Sequence, residues 1–245
     1  MLSGLATTGS CVLCRGPAGH AVPVCQGCDA SLRRSATAVE RSLLFAGVDS
    51  CAAACEYTGA GRDLVRSLKF GRRLVLAEVA ADLIAGSGAL RIRDGGQELP
   101  VVVPVPADPW RRLVRGFDSA DLIAAALGRR LGLPVARLLR RRHSRRQVGR
   151  GRTDRIADPP RVTIRPQRGR WRDLAGFGPV PDGGSVPGAC VLVDDVITTG
   201  ATIGACAHAL RLAGVERVDA VAFAARPEPG AGRDHHFRTN SVRSL

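Results

Sequence analysis

The segment Val191–Thr202 reads VLVDDVITTGAT. A run of aliphatic residues ends in two adjacent acids, followed by two threonines, a glycine and a third threonine. Unpaired buried charge is costly, so Asp194 and Asp195 are expected at the exposed tip of a buried strand. The sequence GATIGACAHALRLAG that follows has helical spacing and stops at Gly214, and RVDAVAFAAR reads as another strand. Strand, helix and strand over residues 189–225 make a βαβ unit, which implies a parallel sheet with a right-handed crossover. Ligands of such sheets bind beyond the carboxyl ends of the strands, the end at which the two acids fall.

Backbone N–H groups at a helix start lack intrahelical partners and are free to bind an anion. Thr198, Thr199, Gly200, Ala201 and Thr202 therefore read as a phosphate cradle. Gly200 allows close backbone approach, and three hydroxyls add donors. The two carboxylates repel phosphate but accept hydrogen bonds from vicinal hydroxyls. A ligand with ribose hydroxyls beside a 5-phosphate satisfies both halves.

Working outward, a chain of 245 residues accommodates one sizeable domain and a small one. It is 45% hydrophobic but only 4% aromatic, so its core must be aliphatic. No segment approaches the roughly 18 uninterrupted apolar residues of a membrane span. The N-terminus shows no charged region followed by an apolar one, so the expected location is the cytoplasm. The net charge of +14 points to an anionic partner, nucleic acid or a phosphorylated small molecule. Lys69 is the only lysine and every other basic residue is arginine, so an arginine-rich composition inherited from a GC-rich genome explains the charge equally well.

Four of the eight cysteines lie in the first 28 residues, as Cys11-x-x-Cys14 and Cys25-x-x-Cys28. Two such turns can close a tetrahedral thiolate site around zinc, leaving no position open for catalysis. The metal would be structural and would supply the folding energy of a segment poor in apolar residues. His20 reads as a loop residue. Cys51 and Cys55, spaced i, i+4, read as buried thiols or alternative ligands, and Cys190 and Cys206 as core.

Residues 29–45 are expected to be helical, 48–57 to form one strand or two short ones, and DLVRSLKF and LVLAEVAADLI to form helices after punctuation at Gly59 and Gly61. PVVVPVP at 100–106 suits a buried parallel strand. Asp118 or Ser119 could cap the helix ADLIAAALGRRLG, which stops at Gly132. Residues 137–139 and 161–164 are strand candidates. Between them lies the basic run RRRHSRRQVGRGRTDR, and residues 165–188 read as a Gly/Pro/Arg-rich surface insertion.

VLVDDVITTGAT resembles the signature of the type I phosphoribosyltransferases, which bind 5-phosphoribosyl 1-pyrophosphate (PRPP). The resemblance implies that Asp194 and Asp195 hold the ribose 2- and 3-hydroxyls and that the turn 198–202 holds the 5-phosphate. It also implies magnesium bridging the hydroxyls and the pyrophosphate. Together with the paired Cys-x-x-Cys turns, the chain resembles the ComF family (ComFC and GntX proteins), whose members carry an N-terminal zinc ribbon. Further matches are Tyr57 with Gly59, Lys69-Phe70-Gly71, Pro104-Val105-Pro106, Arg115-Gly116-Phe117, Gln147 and Arg155. RGFDS at 115–119 stands where family members usually read RGFNQ, and the asparagine usual after the position of Arg155 is absent.

The resemblance implies that Arg111, Arg112 and Arg115 face the pyrophosphate; a solvent-facing arginine cluster is the alternative. Arg140–Arg155 would correspond to a mobile lid over the site, to a nucleic-acid contact or to a solvated loop. The family's link to DNA uptake in natural transformation implies single-stranded DNA and other DNA-uptake proteins as partners. The expected architecture is α/β, a doubly wound parallel sheet with a small zinc ribbon. It divides into a disordered leader (1–10), a zinc ribbon and connector (11–58), a phosphoribosyltransferase-like domain (59–226) and a disordered tail (227–245). The expected function is PRPP–magnesium binding and phosphoribosyl transfer to an acceptor. The alternative is a non-catalytic PRPP sensor or a single-stranded-DNA-binding module, against which the few aromatic residues weigh.

Overall fold

The computed structural model describes residues 9–19, 23–36, 38–40, 47–71, 73–90, 99–141, 160–165 and 187–227. The elements in chain order are β1 (Gly9–Ser10), β2 (Pro17–Ala18), α1 (Gln26–Ser35), β3 (Val39–Glu40), β4 (Ser50–Glu56), α2 (Gly59–Phe70) and α3 (Leu76–Gly86). They continue with β5 (Val101–Pro104), α4 (Pro109–Arg115), α5 (Ser119–Leu131), β6 (Leu139–Arg141), β7 (Val162–Ile164), β8 (Ala189–Ile197), α6 (Ala201–Leu212) and β9 (Arg217–Ala225). Residues 1–8, most of the basic run (142–155), most of the insertion (166–186) and the tail from 228 lie outside the described residues.

The central sheet has the order β3-β4-β9-β8-β5. β4, β9, β8 and β5 are parallel, and β3 pairs antiparallel at the β4 edge. β8, α6 and β9 form the expected βαβ unit. Side chains alternate across the sheet, as the strand period requires. Val191, Val193, Val221 and Phe223 pack with α2, α3 and α5 on one face. Cys190, Leu192, Val218, Ala220 and Ala222 pack with α6 and β6 on the other. The sheet is therefore doubly wound and its core aliphatic, with Phe223 the largest fully buried side chain among the described residues.

The helix boundaries follow local chemistry. Asp118 caps α5 by accepting from the Ala120 N–H at 3.1 Å, and Gly132 ends it in the left-handed region at φ 65°. α1 stops at Ser35, whose hydroxyl turns back onto the carbonyls of Ser31 and Leu32. The helix expected over 29–45 is thus displaced, and the chain enters β3 instead. β4 had been grouped with the connector; its parallel pairing with β9 makes it a strand of the main sheet. Likewise Gly9 and Ser10, expected in the leader, pair with β2. The N-terminal unit is not a separate body: Cys11, Val24 and Leu32 join the same buried cluster as Leu64 and Leu68 of α2. No helix of the described residues is long and apolar enough to cross a membrane.

α2 can lie close on β4 because position 61 has no side chain. A Cβ there would come within 2.9 Å of both the Cys55 sulfur and the Glu56 carbonyl oxygen. Alanine for glycine inside a helix ordinarily stabilises by roughly 0.5–1 kcal/mol, whereas overpacking costs about 1–3 kcal/mol. The clash with backbone should win. Gly61→Ala is expected to lose about 1–2 kcal/mol in urea unfolding, and a neutral or stabilised variant would contradict this packing.

Candidate functional site

β5 and β8 part company at the site. Their last bond runs from the Val105 N–H to the Val193 carbonyl at 2.9 Å. Beyond it, β5 leads through α4 to α5 on one face of the sheet, while β8 feeds α6 on the other. A crevice opens at such a switch point, and Asp194 and Asp195 are the next two residues of β8. They are not at the strand's tip, as expected, because β9 continues to pair with β8 as far as Ile197. The acids are thus backed by a strand on one side and released by β5 on the other.

The strand period sends the two carboxylates to opposite faces. Asp195 is only 6% exposed. Its Oδ1 accepts from the Lys69 ammonium at 2.6 Å, and its Oδ2 accepts from the Ser119 hydroxyl. This pairing is what permits a carboxylate inside the strand. Asp194, more open to solvent, has one oxygen turned back onto the Asp195 N–H at 2.7 Å. Loss of hydration, reinforced by the Asp195 charge and opposed by Lys69, raises its carboxyl to about 7. Beside them Asp118 is buried, and that burial, with repulsion from Asp121, raises it to about 6. Its second oxygen accepts from the Ala107 N–H at 2.8 Å, tying the loop after β5 to the start of α5.

Three residues past β8, Gly200 takes φ 76° and caps α6. That left-handed conformation favours glycine, a stronger reason for its presence than close approach alone. The Thr199 hydroxyl accepts from the Ala201 N–H at 3.4 Å. Thr198 is exposed, Thr202 half-buried, and Gly200 and Ala201 are buried beneath the turn. The first-turn N–H groups of α6 face the end of the sheet where anions are favoured.

The loop expected between β5 and the next helix contains α4, capped by Asp108 and closed by Gly116 at φ 80°. It carries Arg111, Arg112 and Arg115, but they diverge. Arg112 lines a cleft with Asp118, Arg137, Arg140, Arg141 and Arg165. The Arg115 guanidinium stacks 5.1 Å from the ring centroid of Phe70, the residue after Lys69. α4 buries none of its residues, and Trp110 is 62% exposed. Gln147 and Arg155 lie outside the described residues. Lys69 and Ser119 are the site residues that sequence reasoning missed; the available signal was the Lys69-Phe70-Gly71 match and a single lysine in an arginine chain.

A strand bearing an acid pair, a glycine-capped helix start and a switch-point crevice agree with comparison to known sequences. The phosphoribosyl transferase domain family matches residues 115–241, just over half of the chain. The chain belongs to that family. It is also similar to Competence protein F of Haemophilus influenzae, 28% identical over 165 residues that span 63% of this chain and 63% of that protein. The match covers less than two thirds of the relative's length. The phosphoribosyl transferase match begins within α4 and so takes in β8 and its acids, but not α2 and Lys69.

Outside the transferase domain, the sulfurs of Cys11, Cys14, Cys25 and Cys28 all lie within 4.8 Å of one another. Cys14 Sγ and Cys25 Sγ are 3.7 Å apart, against the ~3.8 Å edge of a tetrahedron with 2.3 Å metal–sulfur bonds. The first pair sits on the β1–β2 turn, where Arg15 takes φ 64°, and the second on the start of α1. The Leu13 and Gly16 N–H groups point at Cys11 and Cys14 sulfurs, each at 3.4 Å. Burial alone would raise the Cys11 thiol, but hydrogen bonds outweigh it and bring it to about 6. Burial and the neighbouring thiols push Cys28 to about 12. Four sulfurs converging at this spacing form a donor set that could hold a metal ion once deprotonated. Cys51 and Cys55 are buried on β4, apart from this cluster.

Protein purified without added metal is expected to carry about one equivalent of a thiolate-bound divalent ion, by elemental analysis. Cys14→Ser should lower it well below one, and metal-free protein under reducing conditions would exclude the site. A second prediction follows from Asp194. Its folded value lies above the unfolded 3.8, so the stability it contributes is present below that value and lost as pH rises to about 7. Asp194→Asn is expected to be the more stable chain at pH 8, by an amount on the order of a few kcal/mol. Parallel melting profiles from pH 4 to 8 would contradict the shift.

Proposed function

We propose that this chain binds PRPP with its magnesium ion and transfers the phosphoribosyl group to an acceptor with release of pyrophosphate. The observation that carries this reading is the succession, at one switch point, of the half-buried acid Asp194 on β8 and the Gly200-capped start of α6. Asp194 would accept the ribose hydroxyls, and the α6 N–H groups with Thr198, Thr199 and Thr202 would hold the 5-phosphate. Magnesium arrives with the substrate and neutralises the pyrophosphate. Arg111, Arg112 and Arg115 would add positive charge where that group departs. Displacement at ribose C1 through an oxocarbenium-like transition state needs no protein nucleophile. The part of the chain would be to fix the ribose and the phosphate and to stabilise the leaving group. The N-terminal cluster would hold a structural zinc and take no part in the reaction. We place the chain in the cytoplasm.

The name of the Haemophilus relative supports a link to competence. A second partner, single-stranded DNA, is favoured by α4, where an exposed Trp110 adjoins Arg111 and Arg112 beside the arginine-lined cleft. Single-strand binders combine such cationic tracks with aromatic stacking. Calorimetric titration separates the readings. PRPP with magnesium should bind, Asp194→Asn should weaken it by about 1.5–3 kcal/mol, the worth of a charge-assisted hydrogen bond, and Asp195→Asn should weaken it indirectly, by releasing Lys69 and Ser119. An oligonucleotide, if it binds α4, should do so equally well to both variants. PRPP affinity unchanged in a folded double variant would exclude the acid pair from the site.

A further inference from the structure

The cation set against Asp195 is the chain's single lysine. Wherever else this protein uses a basic side chain it uses arginine. A guanidinium presents a planar fork suited to both oxygens of a carboxylate at once, while an ammonium is a compact point charge with three rotatable donors that suits a single oxygen as well. At Asp195 the buried Ser119 hydroxyl already takes up one site on Oδ2, which leaves Oδ1 as the more open face for a cation. Lys69 reaches Oδ1 from the last turn of α2. The charged and titratable groups around the pair are Lys69 of α2, Asp118 of α5 and Cys206 of α6.

We propose that Lys69 is the positioning residue of the acid pair: with Ser119 it pins Asp195 as a fixed anion and leaves Asp194 to receive the ribose hydroxyls. This rests on the PRPP reading for its functional half and on the geometry alone for its structural half. The two acids, equivalent in the signature, then divide the work. Asp195 joins α2, α5 and β8, while Asp194 meets the ligand. Lys69 also counters the repulsion between the adjacent carboxylates, so its removal should leave Asp194 harder to ionise.

The test measures PRPP–magnesium affinity against pH for the full chain, Lys69→Met and Lys69→Arg. Lys69→Met should bind at least about tenfold more weakly near pH 7, the effect of one pKa unit, and recover towards pH 9 as Asp194 ionises. Lys69→Arg keeps the charge and should leave the pH profile in place, whatever its affinity. A folded Lys69→Met chain with wild-type affinity and profile would overturn the proposal. Should that variant not fold, lysine-selective 15N labelling of the unaltered chain gives one side-chain signal. That signal should be protected from exchange and respond to pH between about 6 and 8, as its neighbours titrate. The signal of a freely exchanging, solvated ammonium would overturn the pairing. An unaltered chain that binds no PRPP would overturn the substrate reading and leave the pairing to be judged by this signal.

Discussion

The carboxylate of Asp195 lies inside a strand, and the architecture of the site follows from how it is compensated. An unpartnered buried charge would cost several kcal/mol. The Lys69 ammonium at 2.6 Å and the Ser119 hydroxyl remove that cost, and in doing so bring the end of α2 and the start of α5 onto β8. Asp118, one residue before Ser119, ties the loop after β5 to the same place through the Ala107 N–H. The crevice between β5 and β8, the α4 arginines and the turn at 198–202 thus share one polar anchor.

The other end of that anchor reaches the cysteine cluster. α1, which carries Cys28, packs Leu32 into the same buried group as Leu64 and Leu68 of α2. A metal that orders the N-terminal unit would therefore also support the helix that holds Lys69. Asp194 shows the opposite balance. Among the described residues its carboxyl has no cation of its own, and it weakens the folded state at neutral pH, the sort of local cost that functional groups impose. A ligand offering two hydroxyls would relieve it.

Much of this was legible in the sequence. The aliphatic run before Asp194, the helix after Gly200 and the strand at 217–225 carried clear periods, and Gly132 and Asp118 were recognisable punctuation. The cysteine spacing by itself points to a metal site. What escaped was non-local. Nothing in residues 50–56 shows that their partner is β9, far along the chain, so the boundary after the connector fell one strand late. The two residues by which β8 outruns its acids depend on the same strand. α4 gave no helical period because it buries nothing. Lys69 and Ser119 lie 126 and 76 residues from the carboxylate they hold, and no local pattern joins them.

The most direct measurement is a crystal structure of the chain with PRPP and magnesium. The 5-phosphate should rest on the N–H groups that open α6 around Gly200. The ribose hydroxyls should meet Asp194, with Lys69 still on Asp195 and the pyrophosphate turned towards α4. A ligand seated in the arginine-lined cleft, with the turn at 198–202 empty and Asp194 uncontacted, would contradict the proposed site.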